Sequence, residues 1–307
     1  MATEPAQSAP PWDEGRQGSI LLPVILLLLL LATAATAMTL QARTSLRDAA
    51  TRRDRLALAA VADGAVRATA LALAAAAASQ AAPPFALDGT PQMCRLDGRR
   101  RLVLAVQDEG GLVDLNKAGA ELITLVLGRA GLSAPDAEGL AEAITAHRTD
   151  APRPKLGKQP VRSRPGDVGA AEAKDFTLAD EIGDLPGVDT RLFGTVRPLF
   201  TASNRSAGID PAVAAPALRA LIPPKELTSP KFEAMTTPSS HTDFTITADV
   251  TGATHQSFIR RGLFRMDPQA GATGRFTAWD ALPMAPPWAE AGLTPFCEKL
   301  AAALAIR

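Results

Sequence analysis

The 307-residue chain contains no tyrosine, only 4% aromatic residues, three histidines and two cysteines. So few sulfur and imidazole ligands exclude a zinc ribbon, a cysteine-rich scaffold and a multi-histidine metal centre. Net charge is missing too: 32 basic residues balance 32 acidic ones, so bulk electrostatics select no polyanionic or cationic partner. No Gly-x-Ser-x-Gly, His-Glu-x-x-His, Cys-x-x-Cys or phosphate-cradling glycine loop occurs. The one local cluster of catalytic residue types, Ser240-His241-Thr242-Asp243, reads as a polar turn, because side chains adjacent in sequence rarely converge as nucleophile, base and orienter. The expectation is that the chain is not an enzyme. Disorder is excluded as well: 47% of residues are hydrophobic, enough for an Ala- and Leu-rich core despite 25 prolines.

What the chain does have lies first at its N-terminus. Ser19 to Leu40 is an almost wholly apolar, uncharged run flanked by Arg16 and Arg43. Its 22 residues span about 33 Å as a helix, the thickness of a hydrocarbon core. No second stretch of this length and apolarity follows, so one anchor is expected. A secretory signal would use Ala35-Thr36-Ala37 as its cleavage site, but Glu4, Asp13 and Glu14 against a lone Arg16 make a poor basic leader. An uncleaved signal anchor is the second reading. The third is a prepilin-type leader ending at Gly18, with the helix starting at Ser19, and the abrupt Arg16-Gln17-Gly18 to Ser19-Ile20-Leu21 junction favours it. Arg43, Arg47, Arg52, Arg53 and Arg55 follow the run, and charge counting alone would keep that side in the cytoplasm. The junction and the downstream domain outweigh that count.

From Gln41 to Gln80 only Gly64 interrupts a sequence of strong helix formers. Leu58, Val61, Ala65, Ala68 and Ala72 recur at spacings of three and four and predict one apolar face, with the helix ending at Pro83-Pro84. Beyond it the pattern becomes α+β. Strands are predicted over Arg101 to Gln107, Asp243 to Val250, Ser257 to Met266 and Gly274 to Trp279. Between the first and the rest lie helices over Ala118 to Gly128, Pro135 to Arg148 (entered by Ser133 with Asp136), Thr177 to Gly183 (entered by Thr177 with Asp180) and Asp210 to Leu221. Ala151 to Val168, with five basic residues and four prolines, reads as a loop. A helical insertion in a sheet domain follows.

At this point particular residues carry a resemblance. Gln17-Gly18 before Ser19-Ile20-Leu21-Leu22, Gln107-Asp108-Glu109-Gly110-Gly111, Asp114-Leu115-Asn116-Lys117-Ala118, Asp180 through Val188, and Gly208-Ile209-Asp210-Pro211 occur in the order found in the minor pseudopilin K (GspK) family of type II secretion systems, which the chain resembles along nearly its whole length. The family's Asn-x-Asn-Thr is Asp114-Leu115-Asn116-Lys117 here, and Asp can cap as Asn does. The resemblance implies a leader over 1–18, a transmembrane and stalk helix over 19–82, a pilin-like sheet domain in two parts, 83–113 and 231–307, and a mostly helical insertion over 114–230. It implies processing by a prepilin peptidase between Gly18 and Ser19, with methylation, and a single-pass protein of the bacterial inner membrane whose N-terminus is cytoplasmic before processing and whose ectodomain is periplasmic. The implied partners are other minor pseudopilins at a fibre tip, the major pseudopilin and the inner-membrane secretion platform. Pro23 stands at the fifth mature position, where most pilin-like subunits carry Glu.

Calcium is implied as a cofactor by the resemblance alone. Asp108, Glu109, Asp114, Glu172 and Asp175 are oxygen donors near the boundary of sheet and insertion, but no ligand loop is visible, and a solvated acidic surface is expected. Cys94 and Cys297, outside the cytoplasm on this topology, either pair or stay free. Two other functions compete: a single-pass periplasmic scaffold or binding protein, and a helix-hairpin-helix DNA-binding protein of a DNA-uptake type. Asp114 through Gly131 and Glu181 through Val188 resemble such hairpins, yet Asp180, Glu181, Asp184 and Asp189 surround the Leu-Pro-Gly turn and disfavour nucleic acid.

Overall fold

A single long helix, α1 (Leu21–Ala78), opens the computed structural model, which describes residues 21–96, 100–149, 175–227, 229–230, 232–267, 273–283 and 295–304. The chain divides into two units, one ending at Leu56 and the other running from Ala57 onward. In the first, every described side chain from Leu21 to Leu56 is exposed. Among the described residues, nothing buries the leucines of this stretch. Threonine hydroxyls in this stretch are satisfied internally, Thr36 and Thr39 each donating to the carbonyl four residues back at 2.8 Å.

The second unit holds the remainder of α1 and the folded domain. The buried α1 face is Leu58, Val61, Ala62, Ala65, Val66, Thr69, Ala70 and Leu73, rotated from the predicted stripe so that Ala68 and Ala72 sit at its margin. The helix stops at Ala78, before Pro83, for a local reason. Gln80 takes a left-handed φ of 53°, and the amides of Gln80 and Ala81 turn back to the carbonyls of Ala77 and Ala76 at 3.2 and 2.9 Å. That is a Schellman termination.

The α1 face packs on a five-stranded antiparallel sheet formed by β1 (Gln92–Arg95), β2 (Arg101–Asp108), β5 (Asp243–Thr251), β6 (Ser257–Asp267) and β7 (Thr273–Leu282), in the order β1-β2-β5-β6-β7. Pairing of β2 with β5 spans 134 residues between Asp108 and Asp243, so the sheet closes over everything in between. Leu102, Leu104 and Val106 of β2, with Phe244, Ile246, Ala248 and Val250 of β5, form one core with the α1 face. Gly262 on β6 makes this approach close: a Cβ there would lie 3.0 Å from the Val66 side chain and 2.9 Å from Phe276. The predicted alternation of β5 holds on this face, but Asp243, Thr247 and Asp249 on the other face are buried too.

The residues between β2 and β5 build a second core. It comprises β3 (Val113–Asp114), α2 (Ala120–Arg129), α3 (Ala134–Thr149), α4 (Thr190–Val196), β4 (Phe200–Thr201), α5 (Pro216–Leu221) and α6 (Pro224–Leu227). β3 and β4 pair in parallel. Leu122, Ile123, Val126 and Leu127 of α2 meet Leu140, Ala141 and Ile144 of α3. The predicted Ser133–Asp136 cap forms, with Ser133 Oγ 2.5 Å from Asp136 Oδ2. Three helix predictions are corrected. The helix expected from Ala118 starts at Ala120 with Gly119 at its cap, while Asp114 caps the turn before it. The stretch at Thr177 is a 3₁₀ turn over Ala179–Asp184, capped not by Thr177 but by the Glu181 carboxylate, which accepts the amides of Thr177 and Leu178 at 3.1 and 3.0 Å. The helix expected over Asp210 to Leu221 is split into a 3₁₀ turn (Pro211–Val213) and α5, because Pro216 lacks the amide needed to continue.

A final helix, α7 (Pro295–Leu304), lies against β1 and reaches α1, where a Cβ on Gly64 would meet Leu304 at 2.9 Å. Cys297 of α7 is disulfide-bonded to Cys94 of β1. The predicted 151–168 loop falls outside the described residues.

Candidate functional site at the junction of sheet and insertion

The chain leaves the sheet at Asp108, and four buried carboxylates gather around that exit: Asp108, Glu109, Asp114 and Asp210. Each has a traceable local cause. Asp108 caps the 3₁₀ turn Glu109–Gly111, accepting the Gly110 amide at 2.8 Å. Its Oδ1 also accepts the Ser239 hydroxyl at 2.7 Å, and its Oδ2 lies 2.5 Å from His241 Nδ1. Asp114 Oδ1 accepts the amides of Asn116 and Lys117 at 2.7 and 2.9 Å, while Oδ2 accepts that of Arg205 at 2.8 Å. Asp210 accepts the amides of Ala212 and Ser239 at 2.8 and 2.7 Å. The glycines beside them are packed tightly: a Cβ on Gly111 would fall 1.9 Å from the Val213 carbonyl oxygen.

Glu109 differs. Its Oε2 accepts the Thr201 hydroxyl, and its Oε1, though buried, has no hydrogen-bond partner among the described residues. Burial pushes its carboxyl above the ordinary value of 4.5, with the Asp108 charge adding to the rise and Thr201, Thr245 and Arg197 opposing it. Burial likewise raises Asp114 despite its three amide partners. A second link between sheet and insertion works through a depressed acid. Asp180 takes Arg197 on one oxygen and Arg261 of β6 on the other at 2.8 Å, and these two guanidiniums outweigh its desolvation and hold its pKa low.

A hard cation needs about six or more converging oxygens. Here the carboxylate oxygens of Asp108, Asp114 and Asp210 are taken by amides, a hydroxyl and an imidazole, leaving Glu109 Oε1 alone without a hydrogen bond. Asp175 is exposed at the start of a described segment, and Glu172 lies outside the described residues. No group of three or more ligating side chains occurs among the described residues. These residues do not fit calcium. Three of the five sequence candidates come together, then, but as the caps and latch of a junction and not as the solvated acidic surface expected.

His241, read from sequence as part of a local turn, in fact pairs with a carboxylate 133 residues away. The turn is real: Ser240 and Thr242 hydroxyls bond each other at 2.9 Å, and His241 has a left-handed φ of 51°. The long-range Asp108–His241 contact left no local signal. The Ser239 hydroxyl is directed at Asp108, and among the described residues no serine hydroxyl is hydrogen-bonded to the imidazole. Asn116 performs a similar task, its amide group donating to the Phe176 carbonyl at 2.9 Å and accepting the Phe176 amide at 2.8 Å.

The order of elements can now be compared with known folds. A solved structure is similar in fold. That structure is the GspK–GspI–GspJ complex from the type 2 secretion system of enterotoxigenic Escherichia coli; the match covers 78% of this chain and 100% of the solved chain, with a TM-score of 0.50 and 14% identity. No family model and no curated protein matches the chain. The fold is therefore pilin-like α+β, a long N-terminal apolar helix followed by an antiparallel sheet domain. At the N-terminus, Gly18 and Ser19 lie outside the described residues, and Pro23 is exposed on α1.

Proposed function

We propose that this protein is a minor pseudopilin of the K type, a tip or initiation subunit of the periplasmic fibre that drives type II protein export. The observation that supports it best is the combination of one apolar helix with a sheet whose second and third neighbours in space, β2 and β5, are separated in sequence by a helical insertion. Subunit function is structural on this reading: the apolar part of α1 joins other helices in the membrane and the fibre core, and the ectodomain caps them. The domain limits 19–82, 83–113, 114–230 and 231–307 belong to this reading. So do other minor pseudopilins, the major pseudopilin, the peptidase and the inner-membrane platform as partners.

Pro23 supports a terminal place. A carboxylate at that position would carry a burial cost of at least about 2.5 kcal/mol in hydrocarbon unless paired with a neighbour's ammonium. A subunit with proline has no such pairing to make below it.

Cleavage between Gly18 and Ser19 is the first test. The intact mass of membrane-extracted protein should match a chain starting at Ser19. A start at Met38 or an unprocessed chain would overturn the pseudopilin reading. Immuno-electron microscopy of overproduced fibres should then show rare, terminal labelling, and label along the shaft would exclude the tip role.

A further inference from the structure

The stretch of α1 that follows its apolar run carries an unusual charge distribution. Residues 41–56 hold five arginines, no lysine and two aspartates. All five arginines are exposed, and none has an ion pair among the described residues. Two of them stand closest to the apolar run. Arg43 and Arg47 are three and seven residues beyond Leu40, about 4.5 and 10.5 Å along the axis. Four residues apart, they share one face with Cβ atoms about 6 Å from each other.

The positions that could neutralise them intrahelically do not. Three and four residues from Arg43 stand Thr39, Leu40, Leu46 and Arg47; around Arg47 stand Arg43, Thr44, Ala50 and Thr51. None is acidic, whereas Asp48 stands four residues before Arg52, in the favourable orientation for a helical pair. A like-charge pair at this spacing weakens a helix unless an anion bridges it.

Helical side chains tilt toward the N-terminus, which here is the direction of the apolar run. The guanidinium of Arg47 therefore reaches back toward the level of Arg43. Polar headgroup regions add roughly 5–7 Å on each side of the hydrocarbon core, so both groups meet the phosphate layer when Leu21 to Leu40 is embedded. Arginine presents a fork that matches phosphate oxygens bidentately.

We infer that Arg43 and Arg47 form a clamp for the phosphate of an anionic phospholipid in the leaflet from which α1 emerges. The inference rests on the membrane-inserted reading of the proposed function and deepens it. It also gives a use to a charge bias that otherwise opposes the topology: five arginines on the translocated side are retained because an anionic headgroup compensates the first two.

The test uses the full chain in nanodiscs of phosphatidylcholine with about one-third phosphatidylglycerol, and counts retained lipids by native mass spectrometry. Wild type should retain phosphatidylglycerol above its bulk share. Arg43→Gln with Arg47→Gln should cut that enrichment about tenfold, in keeping with the attraction of each basic residue to an anionic surface. Arg52→Gln with Arg53→Gln, about 18 Å from Leu40, should change it less than twofold. Circular dichroism should show unchanged helicity in both variants. Equal retention of the two lipids by wild type, or an equal loss in the distal pair, overturns the clamp. So does an acidic protein bound to this face in place of lipid. Release of wild type by alkaline carbonate overturns the membrane reading itself and is separately visible.

Discussion

The two halves of α1 have the same secondary structure and opposite surroundings. Leu21 to Leu56 exposes every side chain, including the Leu26 to Leu31 block at 51–65% exposure, while Leu58 to Leu73 buries eight residues against the sheet. Helix formation is thus settled locally, by Ala, Leu and Arg propensity and the absence of glycine and proline between Pro23 and Gly64. What each half does is settled by the size of its apolar residues. The first half is rich in leucine and requires an apolar medium or partner helices; the second is rich in alanine, and Gly262 of β6 approaches it closely at Val66. Substitutions that alter the second half should unfold the domain, and the same changes in the first should leave it intact.

The largest expected effect comes from the disulfide that ties α7 to β1. It closes a separation of 203 residues, for which chain entropy alone suggests about 5 kcal/mol. Cys94→Ala with Cys297→Ala should lower the stability of the ectodomain by about 2–5 kcal/mol, read by urea denaturation with and without reductant. Reductant should have no effect on the double variant. An unchanged midpoint in reduced wild type would show that packing of Phe296 on Phe85, ring centroids 4.8 Å apart, suffices to hold α7.

Next in size is the contrast between the halves themselves. Leu73→Ala, at a site 3% exposed in the sheet core, should cost about 2–5 kcal/mol. Leu28→Ala, 60% exposed, should leave ectodomain melting within about 0.5 kcal/mol of wild type. On the pseudopilin reading, its effect belongs instead to membrane retention. A destabilised ectodomain in Leu28→Ala would break the comparison.

The sequence made one of the two cores easier to read than the other. Strong alternation at Phe244, Ile246, Ala248 and Val250 exposed β5 and the face it buries, and β2 was found within one residue of its end. β1, β3, β4, α4, α6 and α7 have no counterpart in the sequence reading. Each is short, from two to ten residues, so periodicity has too few turns or pleats to register. At the junction, Asp108, Glu109 and Asp114 stand out from the sequence, together with Glu172 and Asp175, as oxygen donors near the boundary of sheet and insertion. Their caps on Gly110, Asn116 and Lys117 are local, but their burial as a latch depends on Ser239, His241, Thr201 and Arg205, which lie some 90 to 130 residues on. Ser239 and His241 arrive through the β2–β5 pairing and Thr201 and Arg205 through the β3–β4 pairing, tertiary facts with no local pattern.

A smaller effect concerns pH. Glu109 has a raised pKa in the fold, so its contribution is fully present when protonated, below about 4.5, and is lost as pH rises through the folded value. Asp180 has the opposite sign, as does Asp88, which takes the Thr90 hydroxyl and amide and the Arg219 guanidinium: both are lowered by these partners against burial, so they stabilise above about 3.8 and lose that contribution as pH falls further. Glu109→Gln removes the first dependence and should raise the melting temperature at pH 7 by a few degrees, with little change at pH 4. A loss of stability at pH 7 would mean that the ionised carboxylate is a partner the junction requires.

The smallest effect returns to α1, at the residue that ends it. Gln80 sits at φ 53°, in the left-handed region that a side chain disfavours and glycine does not. The closing amides to Ala76 and Ala77 are backbone bonds, so they survive any side chain there. Gln80→Gly should therefore stabilise the ectodomain by about 0.5–1 kcal/mol, the relief of left-handed strain less the added chain entropy of glycine. Gln80→Val, β-branched at the same φ, should destabilise it by more than the glycine gain. Paired urea curves of the two variants read both signs. If glycine also destabilised, the termination would depend on the glutamine side chain, and α1 would end through a side-chain contact and not through backbone geometry.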